Sequence, residues 1–152
     1  MILVSSCLLG EKCRYDGNDC FDPLVVKLVN NRGAIPCCPE VLGGLPTPRV
    51  PAEIIGGNAD DVLDGKAQIM TKEGVDVTKE FVEGAYQTLK LAQENDISVA
   101  ILKERSPSCG SCLVYDGTFS DVKIPGIGVT TALLRRNGIK VYSEENFEFE
   151  IV

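Results

Sequence analysis

Residues 97–112 read ISVAILKERSPSCGSC, and the fold turns on how this stretch is parsed. The first seven residues, Ile97 to Lys103, form a short apolar run of strand length, which reads as a buried β-strand. Ser106-Pro107 then breaks the run, and the chain passes straight into Cys109-Gly110-Ser111-Cys112. Two earlier segments repeat the pattern of an apolar run ending in cysteine. MILVSS runs into Cys7, and GAIPC ends at Cys37-Cys38.

Helical signals separate these runs. Asp22 followed by Pro23 reads as an N-cap and first helical residue; Leu24, Val25, Leu28 and Val29 keep helical spacing, and Asn31-Arg32-Gly33 stops the helix. Thr78 is expected to cap a second helix, with Phe81, Val82, Ala85, Leu89 and Ala92 on one side and an end near Asn95. GVTTALLRRNG reads as a last helix stopped by Gly138, and IKVYS as a last strand. AQIMTKEGVDVT reads as a hairpin turning at Glu73-Gly74. Residues 39–57 hold four prolines and four glycines, too many for long regular structure, and read as an ordered surface loop. Strands alternating with helices imply βαβ units. The expected fold is α/β: a mostly parallel sheet flanked by helices in a Rossmann-like three-layer arrangement, with a small β-hairpin and a Pro/Gly-rich loop, in one domain over residues 1–152.

Parallel strands release their following loops at one edge of the sheet, where such folds bind ligands. Cys7, Cys37/Cys38 and Cys109 each follow an expected strand, so topology alone gathers three distant thiols there.

Composition narrows what those thiols can do. The chain has seven cysteines and no histidine in 152 residues. No apolar run approaches the ~20 residues that span a bilayer, and the N-terminus has no basic region of a signal peptide, so a soluble, cytoplasmic protein is expected. Disulfides are disfavoured there, and the cysteine count points to metal or catalysis. Any metal site must use thiolates and carboxylates, which suits zinc, Cu(I) or an iron–sulfur cluster. Structural zinc takes four closed ligands, commonly from two CxxC pairs, and this chain has one. A [4Fe–4S] cluster on three cysteines keeps one iron open. A redox dithiol at Cys109 and Cys112 is the alternative, although thioredoxin-type motifs open a helix and LVYDG follows here. CLLGEKCR is similar to a tyrosine-phosphatase loop, but six residues separate Cys7 from Arg14 where that loop needs five. The net charge of −7 opposes binding to tRNA or DNA and favours a small substrate.

Taken in order, SSCLLGEKCRYDG, CPEVLGGLPTPRVPAEI, AILKERSPSCG, YDGTF and GIGVTTALL…GIKVYSEE closely resemble the thiouracil desulfidase family, long catalogued as a domain of unknown function. The resemblance runs from about Ser5 to Glu145. It implies an enzyme with a [4Fe–4S] cluster held by three cysteines, whose open iron binds the sulfur of a thiolated pyrimidine while water replaces that sulfur at carbon. Carried over by motif, the ligands are Cys7, Cys38 (with Cys37 its less favoured neighbour) and Cys109; the glutamate that handles water is Glu40; and the assisting serine is Ser108, with Ser106 second. Arg14, Tyr15, Asp16 and Arg49 stand where they could line a pocket for the base, or simply fix loops; Glu53 shares that ambiguity. Cys13, Cys20 and Cys112 receive no ligand role. A small thionucleobase and the iron–sulfur assembly machinery are the partners implied, with no membrane; a small molecule is favoured over nucleic acid, with free base, nucleoside and thiolated tRNA left open as substrates.

Overall fold

The computed structural model describes residues 1–147. At its centre lies a parallel sheet of four strands in the order β2-β1-β5-β8, built from β1 (Ile2–Ser5), β2 (Ala34–Cys37), β5 (Val99–Leu102) and β8 (Lys140–Ser143). Both faces of the sheet are covered. On β1, Ile2 and Val4 face the side of helix α1 (Pro23–Arg32), while Leu3 faces the side of α3 (Ala59–Leu63), α4 (Thr78–Glu94) and α5 (Val129–Arg136). Ile101 against Ala100 and Leu102 repeats this split on β5. The period-2 alternation of side chains, apolar on both faces, is why these runs look continuously hydrophobic. Among the described residues, no helix is long and apolar enough to cross a membrane.

The helix punctuation follows the expected chemistry with one exception. Asp22 accepts from the backbone N–H of Leu24 and Val25, and Gly33 and Gly138 take positive φ just past α1 and α5. Thr78, expected as an N-cap, is already helical. Its hydroxyl instead accepts from Ile69 N–H at 2.9 Å, stitching α4 to β4 (Gln68–Thr71), and Asp76 takes the N–H of Thr78. The turn at Glu73-Gly74 is present, but the main partner of β4 is β3 (Ala52–Ile55), an antiparallel neighbour inside the Pro/Gly-rich stretch. Four further elements lie outside the expectations. α3 carries an Asn58/Asp61 capping box, α2 (Pro39–Leu42) follows β2 directly, and β6 (Leu113–Tyr115) pairs with β7 (Lys123–Pro125).

α2 sits against α4 through two glycines. A Cβ on Gly43 would overlap the carbonyl oxygen of Glu80, and one on Gly84 would overlap that of Pro39. Backbone therefore packs on backbone, which locks the start of α2 against the long helix. Gly84→Ala is expected to cost about 2 kcal/mol through overpacking, lowering the thermal midpoint by roughly 4–8 °C. Thermal unfolding followed by circular dichroism checks this; an unchanged midpoint would show that the helices separate freely.

Candidate functional site

A cavity of about 660 Å³ opens at the C-terminal edge of the parallel sheet. Cys7 reaches it from a 3₁₀ turn (Ser6–Leu9) directly after β1, Cys37 and Cys38 from the end of β2, and Cys109 from the turn after β5. The register pairs Ser5 with Cys37, and Lys103 N–H donates to the Ser5 hydroxyl at 2.9 Å, so three strand ends finish level with one another. The gathering expected from topology is what the sheet produces.

A fourth thiol joins them. Cys13 lines the same cavity because the loop after Cys7 folds back, with Cys20 N–H on the Cys7 carbonyl at 2.8 Å. The Cys38 thiol meets the Cys13 carbonyl at 3.8 Å. Cys37 and Cys38 point to opposite sides, as neighbours at a strand end must: Cys37 packs with the α3–α5 core and Cys38 with the α1 side, beside Cys7 and Cys13. Cys20 and Cys112 are not in the cavity wall. Cys112 is exposed, its sulfur 3.5 Å from the Asn146 amide, whereas Cys109 is buried; the two halves of the CxxC therefore occupy different environments.

Cys13, Cys37, Cys38 and Cys109 hold their protons tightly. The hydrogen bond to Cys38 favours the Cys13 thiolate, but the bond with Cys7 and burial outweigh it and raise its pKa to about 11. Burial and the neighbouring Cys38 push Cys37 up to about 12. The bond with Cys13 and burial raise Cys38, and burial with the adjacent Glu40 charge raises Cys109. Several thiolates coexist here only if positive charge is supplied among them, and metal binding releases such protons. An all-sulfur donor set at one sheet edge fits an iron–sulfur cluster. Among the described residues no three ligating side chains close on one point as a mononuclear ion requires. A cluster binds each cysteine through a different iron, so its ligands stand apart by its own width.

Glu40 lies beside these sulfurs in the first turn of α2. Its Oε2 takes both Arg49 Nε, at 2.9 Å, and Nη2; its Oε1 accepts the Ser106 hydroxyl at 2.8 Å. Ser106 Oγ in turn accepts N–H bonds from Ser108 at 2.9 Å and Cys109 at 3.1 Å. Of the two serines expected to assist, Ser106 lines the cavity, while the Ser108 hydroxyl is buried against Thr130 at 2.7 Å.

The residues expected to face a substrate also divide. Arg14 and Tyr15 line the cavity, the guanidinium 5.6 Å from the ring centre. Asp16 is outside the wall; it accepts Asn18 N–H at 2.9 Å and pairs with Arg14 at 3.7 Å, fixing its loop. Arg49 lines the cavity but is committed: besides Glu40 it donates to the carbonyls of Cys13 and Pro46, both at 3.1 Å. Its guanidinium is held against Glu40. Sequence reasoning gave no role to Lys103, Tyr115, Phe119 or Asp121, which are also part of the wall. Glu53, buried on β3, accepts N–H from Gly117 at 2.9 Å and Phe119 at 3.3 Å and so pins that loop over the opening. The YDGTF motif was the available signal.

Known proteins share this arrangement of sequence and fold. A family model described as 2-thiouracil desulfurase matches residues 2–146. The uncharacterized protein YbbK of Bacillus subtilis (strain 168) is 56% identical over 144 residues, covering 95% of each chain. The solved structure of a [4Fe–4S]-dependent thiouracil desulfidase, TudS, superimposes with a TM-score of 0.86 at 45% identity, over 97% of this chain and 93% of that one.

Proposed function

The chain belongs to the 2-thiouracil desulfurase family, and from that premise we propose that it hydrolyses the carbon–sulfur bond of a 2-thiouracil-like pyrimidine at a [4Fe–4S] cluster held by Cys7, Cys38 and Cys109. The observation that carries the reading is the Glu40–Ser106 contact in the same cavity wall as those cysteines. The net reaction is redox-neutral: thiocarbonyl and water become carbonyl and hydrogen sulfide. The cluster, when bound, supplies an iron without a cysteine ligand as the Lewis acid for sulfur.

The chain's own groups handle water and protons. Arg49 fixes Glu40 through Oε2, which leaves Oε1 facing Ser106 and the cavity. A water against Oε1 gives its proton to the carboxylate as its oxygen bonds to the ring carbon. Ser106, anchored by two backbone N–H donors, orients that carboxylate and is the next group able to carry the proton. Tyr15, Tyr115 and Phe119 offer planar apolar surface to a pyrimidine. The net charge of −7 favours a small base over tRNA, and cellular iron–sulfur assembly proteins would deliver the cluster.

The test is anaerobic reconstitution with iron and sulfide, followed by 2-thiouracil. Uracil and sulfide released in equal amounts are expected; a stable cluster with no turnover on thiolated pyrimidines would overturn the substrate, and no cluster at all would overturn the reading. Serine variants probe its detail. Ser106→Ala is expected to lower turnover about 10-fold or more. Ser108→Ala should leave turnover within about 3-fold and cost about 1 kcal/mol of stability, for its buried bond to Thr130. Steady-state rates and thermal midpoints on the same preparations separate the two serines.

A further inference from the structure

Glu104 is 4% exposed, and among the described residues neither of its carboxylate oxygens is paired with a cation. Burying such a charge is costly unless hydrogen bonds replace its water. Here they do. Oε1 accepts the backbone N–H groups of Ser111 at 2.8 Å, Cys112 at 3.1 Å, Arg105 at 3.2 Å and Leu113 at 3.3 Å, and Oε2 accepts the Ser111 hydroxyl at 2.9 Å. Burial works against the charge, and the backbone donors outweigh it, holding the carboxyl below its ordinary range.

One carboxylate thus ties residue 105 to residues 111–113, closing the segment between them into a ring that the Arg105–Val114 bridge extends. Ser106 and Cys109 lie inside that ring. The start of α5 grips its middle, with Gly128 N–H on the Gly110 carbonyl at 2.9 Å and Thr131 Oγ1 on the Cys109 carbonyl at 2.9 Å. Other contacts hold each end separately, the Cys112 carbonyl accepting Gly126 N–H at 2.9 Å and Arg105 pairing with Glu145, and the Glu104 carboxylate is the side chain that joins the two ends to each other. We propose that Glu104 is a positioning residue, which holds Ser106 against Glu40 and keeps the Cys109 thiol aimed into the cavity. Its purpose rests on the desulfidase reading; its geometry does not.

Glu104→Gln keeps the volume but sets an amide NH₂ against N–H donors. A core variant on α3, Val62→Ala, serves as the control, each protein being assayed equally far below its own thermal midpoint. In cluster-free protein, alkylation of Cys109 followed by mass spectrometry should be at least about 10-fold faster in Glu104→Gln than in wild type or control. In reconstituted protein, its reduced cluster should show an altered electron paramagnetic resonance line shape and lose iron to a chelator about 10-fold faster. Ser111→Ala, which removes one donor, should shift the alkylation rate in the same direction by about 2- to 3-fold, and decides the matter if Glu104→Gln does not fold. Wild-type protection of Cys109 in the foldable variants would overturn the proposal. A wild-type protein that takes up no cluster would instead overturn the desulfidase reading, with the alkylation arm still judging Glu104.

Discussion

Glu40→Gln keeps the fold and the cluster and loses turnover by about 100-fold or more, the scale of a lost general base. The substitution preserves shape: glutamine still offers one oxygen to the Arg49 fork or to the Ser106 hydroxyl, each of which now touches the carboxylate. It removes the ability to accept a proton from water. No histidine exists in the chain to take over. The other buried carboxylates near the cavity are occupied elsewhere, Glu53 with Gly117 and Phe119 and Glu104 with the Ser111 turn. Glu40 sits two residues from Cys38 on a helix pinned by Gly43 and Gly84, so an isosteric change there leaves the cysteine's backbone in place. Iron per protein and single-turnover rates, measured on one preparation, check both halves. A variant with full turnover would assign water activation to another group; one that loses the cluster would make Glu40 part of the binding site.

The strands and long helices were legible because each carried its own local signal. Apolar runs marked β1 and β5, and Asp22-Pro23 marked the start of α1. The parallel sheet followed from the alternation of strands and helices, and with it the meeting of Cys7, Cys38 and Cys109 at one edge; the order of the strands did not. What stayed hidden depends on contacts distant in sequence. β3 is stabilised by pairing with β4 and was masked by the prolines that precede it, and Thr78 trades its cap for a bond to β4. The two serines could not be ranked from SPSC, since their difference is a partner: Glu40, 66 residues away, for Ser106, and Thr130, 22 residues away, for Ser108. Arg49 stayed open between lining the pocket and fixing a loop because nothing local shows that its guanidinium is spent on Glu40 and two carbonyls.

That commitment makes Arg49→Met the substitution with the largest expected effect on stability. The Arg49 and Glu40 side chains are only 8% and 14% exposed, and removing one partner leaves a carboxylate with little water and no cation. Breaking a buried pair in this way costs about 3–5 kcal/mol, or roughly 6–20 °C in the thermal midpoint of a chain this size. The carbonyls of Cys13 and Pro46 lose their donor as well, loosening the loop that brings Cys13 to the cavity. The double variant Arg49→Met/Glu40→Gln separates charge from shape. With the carboxylate neutralised, it should regain about 1–2 kcal/mol over the single variant, because the desolvated charge is gone, and it should recover no turnover. Arg49→Lys completes the set: an ammonium keeps the charge but cannot reproduce the fork on Oε2. Most of the stability should then survive while turnover falls about 10-fold, since Glu40 is neutralised but no longer aimed. Thermal unfolding of the three variants, with rates on those that load iron, tests the cycle. Additive losses across the double variant would mean that Arg49 and Glu40 act independently, and the alignment of Glu40 toward Ser106 would need another source.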